Sequence, residues 1–224
     1  MPHDWLDLLR VHTDRFATIL EVADLDAPVR HCPGWSVRDL AAHLGGIHQW
    51  AAHAVTEGDP GLTTTQPEGE RAAVVEWYRE SAAGLLDVLT RTPLEATAWT
   101  LDKQDRTAAF WRRRQVHETV MHVWDAEEAL GTPRPIDPTL AWDGVLEVAQ
   151  IMYPRQVRVG RIPPLPAALR LVATDVDGEV TLGDGAPLVV EGSAEVLLRL
   201  LWHRAPTDDL DPRAAALLAG AVTP

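Results

Sequence analysis

Thr107-Ala-Ala-Phe-Trp-Arg-Arg-Arg-Gln-Val-His-Glu-Thr-Val-Met-His-Val-Trp-Asp-Ala-Glu-Glu-Ala-Leu130 is the stretch on which the fold turns. It runs into Gly131-Thr-Pro133, a helix stop, so the pattern predicts one helix over about 107–130. Trp111, Met121 and Ala129 lie near one face, while Val116, Val120 and Val123 cover the opposite side. A helix that is apolar on several sides is enclosed by other elements. Inside that enclosed helix Glu118 and His122 are spaced i, i+4, one turn apart on one face, and Asp125 follows seven residues after Glu118.

Outward from this helix, the chain supplies three more. Trp5, Leu8, Leu9, His12, Phe16, Ile19 and Leu20 recur at three- and four-residue intervals and predict an amphipathic helix over 4–23. Ser36-Val-Arg-Asp39 reads as a capping arrangement that opens a second helix reaching about Thr56, with Pro33-Gly34 as the turn before it. The Gly/Pro/Thr-rich loop Gly58–Gly69 separates it from a third, about Glu70 to Thr90, and Pro93–Arg106 connects that to the fourth. Four such helices predict an antiparallel bundle. A fifth helical stretch, about Pro138 to Tyr153, completes a first domain of residues 1–154.

After a basic, proline-rich linker from Arg155 to Pro166 the pattern changes. Leu169-Arg-Leu-Val-Ala-Thr174, Glu179-Val-Thr-Leu182 and Pro187-Leu-Val-Val-Glu191 are β-rich runs. Asp177-Gly178 and Gly183-Asp-Gly185 between them are hairpin signals. Ser193 caps a helix to about Trp202, and Asp211-Pro212 opens a last short one. The expected fold is mainly α: an N-terminal four-helix bundle followed by a small α+β C-terminal domain, residues 155–224.

Composition narrows the function classes. Lys and Arg total 20 against 33 Asp and Glu, a net charge of −13, so the chain lacks the basic field that nucleic acid or an anionic membrane requires. No apolar run approaches a membrane span, and Met1-Pro-His-Asp-Trp5 has neither a basic nor an apolar leader region, which predicts a cytoplasmic protein. Cys32 is the single cysteine, which excludes an internal disulfide framework.

The histidines carry the chemistry. Leu40, His43, Ile47, Trp50 and Ala54 share a stripe of the second helix, so His43 points along an apolar face. A carboxylate buried on the fourth helix without a partner would be costly. A divalent metal shared by His43, Glu118 and His122 removes that cost, and two histidines plus a glutamate with an open position is a catalytic arrangement. The alternative is that Glu118 pairs with His122 or Arg114 and His43 is a satisfied core histidine.

Three segments carry a resemblance. Cys32-Pro-Gly-Trp-Ser-Val-Arg-Asp-Leu-Ala-Ala-His43-Leu44, then His117-Glu118-Thr-Val-Met-His122-Val-Trp-Asp125, and Val190-Glu-Gly-Ser-Ala-Glu-Val-Leu-Leu-Arg-Leu-Leu-Trp-His-Arg204, in that order, resemble the mycothiol-dependent maleylpyruvate isomerase family of DinB-like metal-binding bundles. The resemblance covers nearly the whole chain. It implies a metal held by His43, Glu118 and His122, mycothiol as cofactor, and a functional arginine near the C-terminus that maps onto Arg204. Two positions depart from the family's pattern: His117 precedes the glutamate where arginine is expected, and Arg204 is followed by Ala-Pro-Thr207. Both bear on the substrate more than on the metal.

Zinc is favoured for such a donor set, although Ni, Mn or Fe can also occupy it. Two neutral imidazoles and one carboxylate leave a Zn²⁺ site with a net charge of about +1, where a bound thiol loses its proton. Cys32 or an external thiol can be that nucleophile; the resemblance points to mycothiol. The implied chemistry is conjugate addition to a small electrophilic, anionic substrate, ending in cis-trans isomerisation or in S-transfer. Two other classes stay open: a metal-dependent hydrolase using water, with Asp125 or His117 as base, and a non-catalytic ligand-binding module.

Around the trio, Trp50 is expected to line a ligand pocket. Arg114 is either a partner of Glu118 or a substrate ligand, and Asp125 either orients His122 or caps a neighbouring helix. His48, five residues from His43, is expected to support the site from behind or to be solvated. His117 points about 100° off Glu118 and is no ligand.

Overall fold

The structure is a computed structural model that describes residues 3–220, 222 and 223. Its first compact unit, Met1–Arg134, holds four long helices: α1 (Trp5–Val22), α2 (Val37–Thr56), α3 (Arg71–Arg91) and α4 (Ala108–Ala129). The Ser36 capping box forms as the sequence predicts: the Ser36 hydroxyl accepts from the Asp39 amide at 3.2 Å, and the Asp39 carboxylate accepts from the Ser36 amide at 2.8 Å. Gly34, at φ +84°, makes the turn before it, a conformation that suits glycine. The core gathers Phe16, Leu20, Leu40, Leu44, Val74 and Tyr78, all fully buried. As the sequence requires, α4 is buried nearly all round, from Phe110 to Glu127.

The helix directions correct one expectation. α1 packs on α3 and α4, and α2 packs on α3 and α4. Along α2 and α3 the residue numbers rise together, from Gly45 against Trp77 to Gln49 bonded to Ser81, so this pair is parallel. Trp5 against His117 and Arg15 bonded to Glu127 make α1 and α4 parallel as well. The α1/α3 and α2/α4 pairs are antiparallel, as Arg71 on the Leu20 carbonyl with Phe16 on Tyr78, and Trp50 on Trp111 with His43 on His122, show. Consecutive helices therefore need not alternate. The 20 residues of α2 are about 30 Å long, and an extended chain at about 3.3 Å per residue lets the Glu57–Glu70 connection run back along it. Its course is fixed by Trp50 Nε1 on the Pro60 carbonyl, the Thr65 amide on Gln49 and Arg38 on the Gly69 carbonyl.

The second compact unit is Pro135–Pro224. The sequence places the domain boundary at 154/155, whereas the compact units part at Arg134/Pro135, and α5 (Pro138–Glu147) packs against α7 (Ala194–Leu201). The expected linker is also partly helical: a π-helical turn, Val148–Met152, passes into α6 (Tyr153–Arg158). Pro154 at the start of α6 lacks an amide hydrogen, and the widened turn, with the Tyr153 amide on the Val148 carbonyl, accommodates its ring.

Three strands follow, β1 (Ala168–Ala173), β2 (Glu179–Leu182) and β3 (Pro187–Gly192), in the order β2-β1-β3. β1 and β2 form the predicted hairpin, with Leu169 opposite Leu182. The second hairpin signal proves to be a crossover. Gly183 and Gly185, both at positive φ, carry the chain past the start of β1 to its other edge, where β3 pairs in parallel, Leu171 opposite Val190. A last helix, α8 (Pro212–Leu218), completes the unit. No helix among the described residues is long and apolar enough to cross a membrane.

Candidate metal centre and the adjoining cleft

α2 and α4, antiparallel neighbours, bring the three predicted ligands together. His43 Nε2 lies 3.2 Å and His122 Nε2 3.4 Å from the same oxygen, Glu118 Oε1. The two imidazole centroids are 5.0 Å apart and nearly perpendicular. Donors bonded tetrahedrally to one zinc at 2.0–2.1 Å are separated by about 3.3 Å, so the spacing of this donor set fits a single divalent ion.

Partners behind the trio fix each member. The second oxygen of Glu118 is bonded by the Arg114 guanidinium, which is buried at 4% exposure. Burial alone would raise the Glu118 carboxyl. Arg114 and the bonds to His122 and His43 outweigh it and hold the group well below the usual carboxylate range. His122 Nδ1 is 3.0 Å from Asp125 Oδ2, on a side chain that is itself buried. Burial lowers the His122 pKa, but Asp125 and Glu118 together push it up to about 9. Trp35 packs on the His43 ring at 4.8 Å. Arg114 and Asp125, each weighed as a possible direct contact for substrate or cofactor, are thus found behind the ligands. Cys32 Sγ approaches Asp125 Oδ2 at 3.8 Å, so Cys32, His122 and Asp125 form a second group able to hold an ion, sharing His122 with the first.

His48 is fully buried, not solvated, with Nδ1 on Gln115 Oε1 at 2.9 Å and Nε2 3.4 Å from the Tyr78 hydroxyl. Burial lowers its pKa to about 4, so the ring is neutral. His117 turns to the Trp5 ring, 5.7 Å away, as its offset on the helix predicts. Arg204 belongs to the second unit. His203, at φ 58°, turns the chain back after α7, and the Arg204 guanidinium lies 5.6 Å from the Trp202 ring centre and bonds the Trp202 carbonyl at 2.5 Å.

An open cleft of about 610 Å³ adjoins the trio and shares His43 with it. Trp50 lines it, as predicted, with Ile47 and Trp35. Sequence reasoning missed its other wall, Thr64 and Gln66, because Gly58–Gly69 reads as a connector. The available signal was length, since connections this long carry a role of their own more often than short ones do.

A bundle that converges two imidazoles and a carboxylate defines the class: a helical bundle with a candidate divalent-metal site. The chain belongs to the mycothiol maleylpyruvate isomerase N-terminal domain family, whose model matches residues 6–127. The solved structure of the mycothiol-dependent maleylpyruvate isomerase is similar in fold, with a TM-score of 0.69 at 19% identity over 94% of this chain and 92% of that one. A histidine-to-alanine mutant of that isomerase gives 0.65 at 18% identity over 89% and 88%. No curated protein matches the chain.

Proposed function

We propose that this chain is a metal- and thiol-dependent enzyme, with His43, Glu118 and His122 as the metal ligands, that uses mycothiol to isomerise a small electrophilic, anionic substrate or to transfer the thiol to it. The observation that carries this reading is the convergence of both Nε2 atoms on one carboxylate oxygen beside a cleft. A divalent ion, zinc by its donor set, would keep a bound thiol deprotonated at neutral pH.

The chain's own side chains supply the rest. Asp125 accepts from His122 Nδ1–H and turns Nε2 toward the trio, where a bound ion would take the place of the proton that Asp125 and Glu118 otherwise hold on the ring, and Arg114 occupies one oxygen of Glu118 and leaves the other to face the imidazoles. A thiol held beside the trio would supply a nucleophile for conjugate addition to an electrophilic alkene, reversible for isomerisation or retained for S-transfer. In this reading Arg204 is the functional arginine that the family resemblance implies, a guanidinium whose paired donors suit a carboxylate.

The hydrolase alternative is less well supported, because the bases it would require are engaged: Asp125 with His122, and His117 against Trp5. The test is metal content followed by thiol-dependent turnover. Near-stoichiometric zinc, lost in His43→Ala and Glu118→Gln, with mycothiol-dependent conversion of a cis-enedioic substrate, is the expected result. Protein that carries no metal under metal-replete conditions would overturn the reading.

A further inference from the structure

The loop between α1 and α2 meets His122 from its Nδ1 side. Its backbone is closed on itself: the Val29 amide donates to the Trp35 carbonyl at 2.9 Å, the Cys32 amide to the Val29 carbonyl at 3.1 Å and the Trp35 amide to the Cys32 carbonyl at 2.9 Å, and Pro28 bridges to Ser36. This one loop delivers two side chains, Trp35 to the His43 ring at 4.8 Å and Cys32 to α4. There Cys32 Sγ lies 3.8 Å from Asp125 Oδ2, and the same oxygen lies 3.0 Å from His122 Nδ1. The ligand atoms of Cys32, His122 and Asp125 all fall within 4.8 Å of one another. Asp125 and His122 are buried, while Cys32 is partly exposed and opens the group on the loop side.

These separations are those of a coordination sphere. Donors bonded tetrahedrally to zinc at 2.0–2.3 Å sit about 3.3 Å apart for nitrogen and oxygen, and about 3.5 Å apart where one of them is sulfur. The donor set also differs in kind from the trio, because a thiolate selects thiophilic ions. His122 serves both groups through opposite edges of one ring, Nε2 toward Glu118 and Nδ1 toward Asp125. With one ion on Nε2, Asp125 holds the Nδ1 hydrogen. A second ion takes the place of that hydrogen and of the thiol hydrogen, and both leave as protons. The charge of two divalent ions is then met by the Glu118 and Asp125 carboxylates, the Cys32 thiolate and the His122 imidazolate. Ions matched in this way by their own ligands avoid the cost of an uncompensated buried charge.

We infer that Cys32, Asp125 and His122 Nδ1 form a second metal site, for a thiophilic divalent ion such as zinc, with His122 bridging it to the ion of the trio. The inference rests on the assignment of an ion to the trio and is independent of the thiol chemistry. The second site fills after the first, since two protons must leave for it to form. Once filled, it withdraws Cys32, the chain's single cysteine, from attack by electrophiles.

The test titrates the metal-free, full-length protein with Co²⁺ at neutral pH without added thiols. The first equivalent is expected to give the visible bands of a tetrahedral ion and no sulfur-to-cobalt band in the near ultraviolet, because the trio contains no sulfur. The second should bind at least tenfold more weakly and bring that band in, and alkylation of Cys32 by iodoacetamide should slow at least tenfold over the same step. Cys32→Ser should take up the first equivalent unchanged, which also reports an intact bundle, and show no sulfur band. His43→Ala should take up a single equivalent that carries the band. One sulfur-free equivalent in the parent protein, or an alkylation rate that cobalt leaves unchanged, overturns the inference and leaves the trio's assignment standing. A sulfur band complete at the first equivalent with no second ion bound overturns both, as does the absence of any bound cobalt.

Discussion

His122 uses both edges of its ring: Nδ1 faces Asp125 and Nε2 faces Glu118. A ligand imidazole whose second nitrogen donates to a buried carboxylate is held in one tautomer and orientation, and removal of that partner typically costs 10–100-fold in metal affinity. Asp125→Asn is therefore expected to weaken zinc binding by about that factor in competition with a chromophoric chelator, with little change in folding. Unchanged affinity would mean that Asp125 only packs. The i, i+4 spacing made Glu118 and His122 legible as a pair in the sequence, and the i+3 position of Asp125 relative to His122 put it within reach. That Arg114 turns to Glu118 was not decided there, because a guanidinium one turn before a carboxylate can equally well face a ligand.

α2 and α3 approach closely because Gly45 faces Trp77. A Cβ at residue 45 would lie 2.3 Å from the indole, which is anchored by its bond to Thr65. Overpacking of this kind costs about 1–3 kcal/mol, against a helix-propensity gain of about 1 kcal/mol for alanine. Gly45→Ala should lower the unfolding free energy in urea by up to about 2 kcal/mol. Gly84, on α3 with nothing within 4 Å of an added methyl, is the control: Gly84→Ala should raise it by about 0.5–1 kcal/mol. If both alanines act in the same direction, the close approach is not what Gly45 provides. Helix positions and the Ser36 cap were legible from periodicity and residue type. Helix direction was not, because a connection long enough to span a helix is compatible with either sense.

Over the whole molecule, acid sensitivity follows from His48. In the unfolded chain the imidazole titrates near 6.5; in the fold, burial lowers it to about 4. Between those values the unfolded state binds more protons, so stability is fully present above pH 6.5 and falls as the pH drops toward 4, by about 3 kcal/mol in all. His12, which burial first and then Arg15 also lower to about 4, acts in the same direction. Melting temperature measured from pH 7.5 to 4.5 should decline below 6.5, and His48→Gln should flatten the decline. An unaltered slope in that variant would assign the acid loss to other groups.

Periodicity, capping residues and the composition of an enclosed helix determined the elements, the mainly α class with a small α+β addition, and the Glu118–His122 pair, because these depend on neighbours within a few turns; the approach of His43 to that pair, 75 residues away, came from the packing of α2 on α4. Tertiary structure alone decided the parallel pairing of α2 with α3, the division of the compact units at Arg134/Pro135, the crossover into β3 and the cleft beside His43. Each of these depends on where a connecting segment lies in space, and a loop's course is set by the surface it packs against, which its own sequence does not encode.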